Sequence, residues 1–227
     1  MIIYEDDYTI AINKPNNVLV HHSAMAKNQA NEKSLVQLLF ITYNTHYYPI
    51  HRLDRKTSGI LLLAKKKEYV APFQELFINN NIQKTYYGLV RGYIAESGVI
   101  DTPVKGRDAN THKEALTYYK KVNTTELNIA VHPFKTARYS IVKLLPQTGR
   151  LHQLRIHLNK ISHPLIGDPK YGDRYHNRMF EAQFNATHLF LHAYSIEFIH
   201  PFTKKLIHVI GDFPKHWSVE GLGLKLP

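Results

Sequence analysis

The chain has 227 residues, 44% of them hydrophobic, which fits a globular protein with a sizeable core rather than a disordered or fibrous one. It contains no cysteine, which excludes a disulfide framework and a thiolate metal site. The start of the chain lacks a basic segment followed by an apolar one, and no apolar run approaches the roughly 18 residues of a membrane-spanning helix. We therefore expect a soluble cytoplasmic protein.

The charge of the chain is strongly basic, with 29 lysines and arginines against 18 acidic residues and a formal net charge of +11. Such an excess favours a polyanionic partner, because neutralised phosphates release their counterions. The alternative is a lysine-rich surface without any such partner. The cations are spread through the chain among 15 tyrosines and 10 phenylalanines, so that charge and stacking are both available for binding nucleic acid.

The N-terminal part of the chain predicts two extended segments followed by a helix. Residues 8–13 have the composition of a strand, and the turn residues at 14–17 end it. Residues 18–21 resume an extended path. Residues 31–40 begin with Asn31, a residue type that caps helices, and their apolar positions are spaced as in a helix.

The rest of the chain predicts more strands than helices. The apolar run at residues 59–64 is typical of a buried strand, whereas residues 73–78 favour a helix that tolerates Pro72 only in its first turn. Three more segments have the composition of strands: residues 84–90, 137–144 and 188–199. Residues 102–125 are polar and basic, so we expect a surface excursion there.

The order of these elements indicates the fold class. No internal repeat, low-complexity segment or linker divides the chain. Many strands with few helices predict an α+β fold, in which a mixed and mostly antiparallel β-sheet is flanked by helices and loops. We expect a single domain over residues 1–227.

Two segments carry the chemistry that the sequence suggests. Residues 51–62 place one carboxylate, Asp54, among cations just before the apolar strand. Residues 148–158 place Arg155 at the edge of a helical apolar stripe. The stripe consists of Leu151, Leu154 and Leu158. A carboxylate nucleophile in a dry site needs a nearby cation to stay ionised, so the two residues could form such a pair. They could equally form a core salt bridge without catalytic function.

Four spaced motifs resemble the RluA-type RNA pseudouridine synthases. They are residues 51–59 (HRLDRKTSG), 83–86 (QKTY), 148–158 (TGRLHQLRIHL) and 191–193 (LHA). The resemblance runs in order from about residue 7 to about residue 211. Three further segments are most similar to the tRNA-modifying TruC branch of that family: residues 13–15, 163–178 and 200–203.

The resemblance implies an enzyme that isomerises a specific uridine of RNA to pseudouridine. The reaction breaks the N1–C1′ bond, rotates the uracil and forms a C5–C1′ bond. Nothing is oxidised and no group is donated, so we expect neither a cofactor nor a metal. By this resemblance Asp54 is the nucleophile, Arg155 its ionic partner, and Tyr86 the residue that stacks on the base and accepts the C5 proton. Tyr87 points to the other face of its strand, and whether Asp54 attacks the base or the sugar stays open.

The resemblance also implies residues that contact RNA. Arg52 is similar to the arginine that fills the space of the flipped base, which offsets the cost of unstacking. Four further cations are expected to bind backbone phosphates: Lys14, Arg55, Lys56 and Arg150. The first strand begins within about eight residues of Met1, so we expect no N-terminal S4-type domain. Recognition then falls to the basic segments near residues 105–121 and 170–178, which favours folded tRNA over ribosomal RNA.

Two alternatives concern RNA, a ribosomal RNA pseudouridine synthase and a non-catalytic RNA-binding protein on the same core. A third is a metallohydrolase, because the chain has 15 histidines. His152 and His157 are five residues apart, and no His-x-x-x-His pair is accompanied by a glutamate, which disfavours a metal site. We expect His51 to support its loop by hydrogen bonding, His192 to have a structural or pocket-wall role, and the protein to be a monomer without membrane or metal partners.

Overall fold

The computed structural model describes residues 1–22, 32–106, 111–218, 222 and 226, and the chain forms two compact units. Unit 1 consists of Met1–Gln83 and Ala193–Phe213, and unit 2 of Lys84–His192 and Pro214–Pro227. Each unit contains strands, helices and a buried apolar cluster.

The strands in chain order are β1 (Ile2–Glu5), β2 (Thr9–Lys14), β3 (Tyr48–Pro49), β4 (Ser58–Ala64), β5 (Ile82–Arg91), β6 (Ser97–Asp101), β7 (Val104–Lys105), β8 (His112–Lys113), β9 (Leu116–Leu127), β10 (Ala137–Pro146), β11 (Leu191–Ile199) and β12 (Leu206–Ile210). The α-helices are α1 (Leu35–Tyr43), α2 (Val70–Ile78), α3 (Gln153–Lys160) and α4 (Arg174–Phe184). Short 3₁₀ helices span Lys67–Tyr69 and Lys215–Trp217.

In unit 1 the strands follow the order β1-β2-β4-β11, and β12 pairs with β11. Every residue of β4 is buried, as the apolar run predicts. Gly59 has φ +114°, and a Cβ there would lie 2.2 Å from the carbonyl oxygen of Ala193. Only glycine therefore allows β11 to approach the start of β4 so closely. Phe73 of α2 packs into the cluster beneath this sheet.

In unit 2 the strands follow the order β5-β10-β9-β6, and each neighbouring pair is antiparallel. Val142 and Leu144 of β10 form a buried cluster with Leu154 and Leu158 of α3. The helix thereby holds its N-terminal end near the sheet. Strands and helices of this kind confirm the predicted α+β fold with mostly antiparallel pairing.

Some predicted boundaries are wrong. Helix α1 begins at Leu35 with a capping box between Ser34 and Gln37, not at Asn31, which lies outside the described residues. Leu151 precedes α3 and is 38% exposed, so it does not belong to the buried stripe. The surface excursion is narrower than residues 102–125, because residues from 117 onward pair with β10. Its tip at residues 107–110 is not among the described residues.

Candidate active site

Asp54 lies in unit 1, in the loop that leads from β3 into β4. The residue is half-buried. The backbone N–H of Thr57 donates to the carbonyl oxygen of Asp54 at 3.0 Å, which closes a turn just before β4 begins. Asp54 thus lies four residues before β4, and Thr57 and all of β4 are buried.

The buried side chain of Lys14 holds this loop in place. Its side chain is 0% exposed, and its ammonium donates to the carbonyl oxygens of Pro15 at 2.9 Å, Val18 at 3.0 Å and Arg55 at 3.2 Å. Burial lowers the pKa of Lys14 to about 7, and the negative charge of Asp54 opposes that shift. The prediction that Lys14 binds an RNA phosphate is wrong, because three protein carbonyls occupy the three donors of a buried ammonium.

Further bonds join the loop to residues 16–17 of the preceding turn. The Arg55 guanidinium donates to the carbonyl oxygen of Asn17 at 3.1 Å and forms an ion pair with Glu32 at 2.7 Å. Asn16 donates to the carbonyl oxygen of Lys56. Arg55 therefore helps to hold the loop, and its binding to phosphate stays a prediction. Lys56 is half-buried.

His51 supports the same loop, as the sequence predicts. Its Nε2 accepts a hydrogen bond from the backbone N–H of Leu62 at 3.0 Å, and its ring stacks on Phe77 with centroids 4.6 Å apart. The neighbouring Arg52 is exposed. This arrangement leaves the Arg52 side chain accessible to a ligand, while His51 fixes the backbone next to it.

Arg155 lies in unit 2, on α3, and is 6% exposed. Its Nε and Nη2 donate to the two carboxylate oxygens of Asp168 at 2.7 and 2.8 Å. Burial alone raises the pKa of Asp168, but hydrogen bonds and the charge of Arg155 hold it below its usual value. Since the guanidinium is planar, this two-point contact fixes the direction of its remaining N–H groups. The pairing of Arg155 with Asp54 stays a prediction.

The loop around Asp168 completes the surroundings of Arg155. The Asp168 carboxylate also accepts from the backbone N–H groups of Lys170 and Tyr171, at 2.9 and 3.0 Å. The Arg155 guanidinium lies 5.2 Å from the centre of the Tyr171 ring, and the Tyr171 hydroxyl lies 3.2 Å from Nδ1 of His152. One loop thus supplies both a charge and an aromatic face to the arginine.

Asp168 was not among the functional residues predicted from the sequence. A usable signal is the glycine on its N-terminal side: Gly167 has φ +75°, and a Cβ there would lie 1.8 Å from the carbonyl oxygen of His188. An acid directly after a glycine, within a segment rich in cations, indicates a turn that holds a charge in a fixed place.

The N-terminal end of α3 is tied to the sheet of unit 2. Oε1 of Gln153 accepts from the Thr148 hydroxyl at 2.7 Å and from the Arg150 backbone at 3.0 Å. Its Nε2 donates to the carbonyl oxygen of Leu116 and to the Thr117 hydroxyl. The Arg150 side chain is exposed and donates to a backbone carbonyl, so it can still reach a phosphate.

Tyr86 and Tyr87 lie on opposite faces of β5. Tyr87 is buried, whereas Tyr86 is half-buried and packs against the cluster that contains Leu154 and Leu158. Tyr86 therefore keeps part of its ring accessible on the face that carries α3. Its contact with a substrate base stays a prediction.

The histidines have structural partners. His157 is buried, its Nε2 donating to the carbonyl oxygen of Thr102 at 2.9 Å and its Nδ1 lying 3.0 Å from the Thr117 hydroxyl, and burial lowers its pKa. His192 is also buried and lies edge-on to Trp217. Within the described ranges, no three histidine or acidic side chains are arranged to hold a metal ion. No described helix is long and apolar enough to cross a membrane.

A model of the RNA pseudouridylate synthase family matches residues 8–160. The chain belongs to that family. The matched region contains Asp54, Tyr86 and Arg155, and the predicted resemblance to RluA-type pseudouridine synthases is confirmed.

Curated members of this pseudouridine synthase family resemble nearly the whole chain. A protein named tRNA pseudouridine synthase C from Vibrio cholerae is 38% identical over 96% of this chain and 92% of its own length. The protein of the same name from Haemophilus ducreyi is 39% identical over 96% and 93% of the two chains. Among solved structures, human RNA Pseudouridylate Synthase Domain Containing 1 covers 94% of this chain and 83% of its own, with a TM-score of 0.73 and 24% identity, and so shares the fold.

Proposed function

We propose that this pseudouridine synthase isomerises a specific uridine of tRNA. The observation that carries the proposal is the match, over almost the full length of both chains, to relatives named tRNA pseudouridine synthase C. The net charge of +11 supports a polyanionic substrate. A ribosomal RNA substrate is the alternative, since charge and shape recognition serve both.

In this proposal Asp54 is the nucleophile. Its position supports the role, because Asp54 is half-buried, lies four residues before a fully buried strand, and belongs to a loop that Lys14 and His51 fix. A preorganised carboxylate can form an intermediate with the substrate, which splits one difficult exchange into easier steps. The freed uracil rotates, and the C5–C1′ bond forms.

Arg155 is the proposed ionic partner of Asp54, and Asp168 sets its orientation. The bidentate contact with Asp168 supports this division of roles, because it leaves the direction of the guanidinium fixed before substrate binds. Tyr86 stacks on the base and accepts the C5 proton after rotation, for which its half-exposed ring is suitable.

Cations of each unit are proposed to contact the RNA. Arg52 occupies the space of the flipped base, and Arg150, Arg55 and Lys56 bind backbone phosphates. Arg52 and Arg150 are exposed, which supports contact with a macromolecular substrate.

The substrate assignment is tested by incubating the protein with unmodified tRNA and ribosomal RNA transcripts and mapping pseudouridine in each. We expect one uridine of tRNA to be modified, with the same yield after chelation by EDTA. Modification of ribosomal RNA alone would replace the tRNA assignment, and no modification of either would favour an RNA-binding protein without catalytic activity.

The two tyrosines of β5 give a matched test of the site. Tyr86→Phe keeps the ring but removes the hydroxyl, so we expect turnover to fall about a hundredfold while affinity for tRNA is kept. Tyr87→Phe removes a hydroxyl from the other face, and its turnover should stay within about twofold of the wild type. Equal losses in the two variants would contradict the role given to Tyr86.

We further propose that both units act together as one catalytic domain in a cytoplasmic monomer. Sedimentation of the active protein should give the mass of one chain, 26.3 kDa. Activity confined to a dimer fraction would contradict this part of the proposal.

A further inference from the structure

One face of the unit 2 sheet carries an exposed aromatic and apolar row. The strand register places Tyr118 of β9 directly opposite Val99 of β6 and Leu145 of β10. Residues opposite one another share a face of the sheet, so the three side chains lie side by side. Val99 is 55% exposed and Tyr118 43% exposed.

The next row on this face carries two positive charges. Lys120 of β9 lies directly opposite Lys143 of β10, with Ser97 of β6 on its other side. Like charges that face each other across strands destabilise a sheet. Within the described part of the chain, neither lysine forms an ion pair. Asp101, an acid on this face, lies opposite Leu116, beyond the row of Tyr118.

Neighbouring residues on the other face behave differently. Lys121 forms an ion pair with Glu96 at 3.0 Å, and Tyr119 packs against the buried cluster of unit 2. Tyr118, by contrast, has no ring contact or side-chain hydrogen bond to any residue that the structure describes. The unbalanced charges and the uncovered ring therefore belong to one face of β9.

We propose that this surface, called here the β9 face, binds an unpaired segment of RNA. The β9 face consists of Val99, Tyr118, Lys120, Lys143 and Leu145. A base stacks on Tyr118, and the flanking phosphates lie against Lys120 and Lys143. Aromatic rings on an open sheet and adjacent cations are the elements by which single strands are bound without sequence preference.

The charge of the β9 face favours RNA over a protein partner. A phosphate backbone relieves the repulsion between Lys120 and Lys143 and releases counterions. An apolar protein surface would have to bury both ammonium groups without partners, which is costly. The β9 face involves none of the residues assigned to the isomerisation, so it is an accessory contact that rests on the proposed function only in requiring that the protein binds RNA.

The first test measures binding of a fluorescein-labelled single-stranded RNA of about 12 nucleotides, a length within the range of known single-strand sites. We expect Tyr118→Leu to raise Kd about tenfold, because stacking is lost while apolar bulk is kept. Tyr118→Phe retains the ring and should stay within about twofold of the wild type. Unchanged binding by Tyr118→Leu would overturn the proposal.

The second test separates the charges on the two faces. Lys120→Gln and Lys143→Gln should each reduce the slope of log K against log salt concentration by about 0.7, as expected for one single-strand phosphate. Lys121→Gln is the matched control and should leave the slope unchanged, because that lysine is already paired with Glu96. An equal change in the control would overturn the assignment to the β9 face.

Two outcomes distinguish this proposal from the proposed function. If the wild type modifies no RNA, yet its binding of the oligonucleotide depends on Tyr118, the function fails and the β9 face stands. If the variants bind RNA normally but lose self-association in sedimentation, the face contacts a second copy of the chain and the proposal is wrong.

Discussion

The two loops that position the candidate catalytic groups are anchored by opposite means. In unit 1 a buried cation, Lys14, holds the Asp54 loop through three neutral carbonyl groups. In unit 2 a buried anion, Asp168, holds Arg155 through two hydrogen bonds between full charges. The first anchor fixes a backbone and the second fixes a side chain.

Because of this difference, the two anchors respond differently to pH. Burial lowers the pKa of Lys14 to about 7, because the negative charge of Asp54 opposes the shift only in part. A full opposite charge more than compensates the burial of Asp168, so its pKa is lowered and the carboxylate stays ionised. The anchor of unit 1 is therefore sensitive to pH near neutrality, and that of unit 2 is not.

The largest effect is expected from breaking the charged anchor. Asp168→Asn removes the carboxylate that accepts two hydrogen bonds from the buried guanidinium of Arg155, and we expect the free energy of unfolding to fall by about 3 kcal/mol. Urea unfolding measures this loss. Glu96→Gln breaks an exposed pair with Lys121 and should cost less than about 1 kcal/mol. Equal losses of unfolding free energy in the two variants would show that the buried pair stabilises the fold no more than the exposed pair does.

A smaller loss is expected at the dipolar anchor. Lys14→Met keeps the apolar stem but leaves three carbonyl groups without their donor, so the free energy of unfolding at pH 7 should fall by about 2 kcal/mol. Turnover should also fall, about tenfold, because the Asp54 loop loses its support. As a control, Lys65→Met removes an exposed ion pair with Glu5 and should change stability by no more than about 0.5 kcal/mol.

The pH dependence of that loss sharpens the comparison. Lys14 has a pKa of about 7 in the folded protein and 10.5 ordinarily, so between these values the unfolded chain binds more protons and stability rises with pH. We expect the stability difference between the wild type and Lys14→Met to grow by about 1 kcal/mol from pH 7 to pH 8. The difference between the wild type and Asp168→Asn should stay constant over that range. A constant difference for Lys14 would remove the contrast between the anchors.

The smallest effect is expected at Arg52, an exposed residue of unit 1. Arg52→Gln should weaken tRNA binding a few-fold, because an exposed arginine loses one phosphate or base contact. It should also reduce the slope of log K against log salt concentration by about 1. The equivalent change Lys14→Gln should leave the salt slope unaltered, since that ammonium is fully buried. A smaller salt slope for Lys14→Gln than for the wild type would show that Lys14 does bind a phosphate.

Local patterns were sufficient to predict much of the fold and the loop of Asp54. The apolar run before Ala64 predicts the buried strand β4, and Pro72 stands in the first turn of α2 as its chemistry requires. The hydrogen-bonding role of His51 also follows from its place beside the strand.

The remaining features depend on contacts between distant residues. Arg155 meets Asp168 only because a turn at Gly167 returns the chain to α3, and helical spacing alone cannot show this. Lys14 has the type and the neighbours of a phosphate ligand, but its depth below the loop follows from the packing of β2 against β4. Sequence therefore indicates the residues of the candidate site better than the partners that position them.

The most direct test of the account is the single-turnover rate of pseudouridine formation by Asp54→Asn, measured together with its affinity for tRNA. Asparagine keeps the size of the side chain and the carbonyl contacts of the loop, but it is not a carboxylate nucleophile. We expect the rate to fall by about a thousandfold or more while Kd stays within about threefold of the wild type. A rate comparable to that of the wild type would contradict the assignment of Asp54 as the nucleophile.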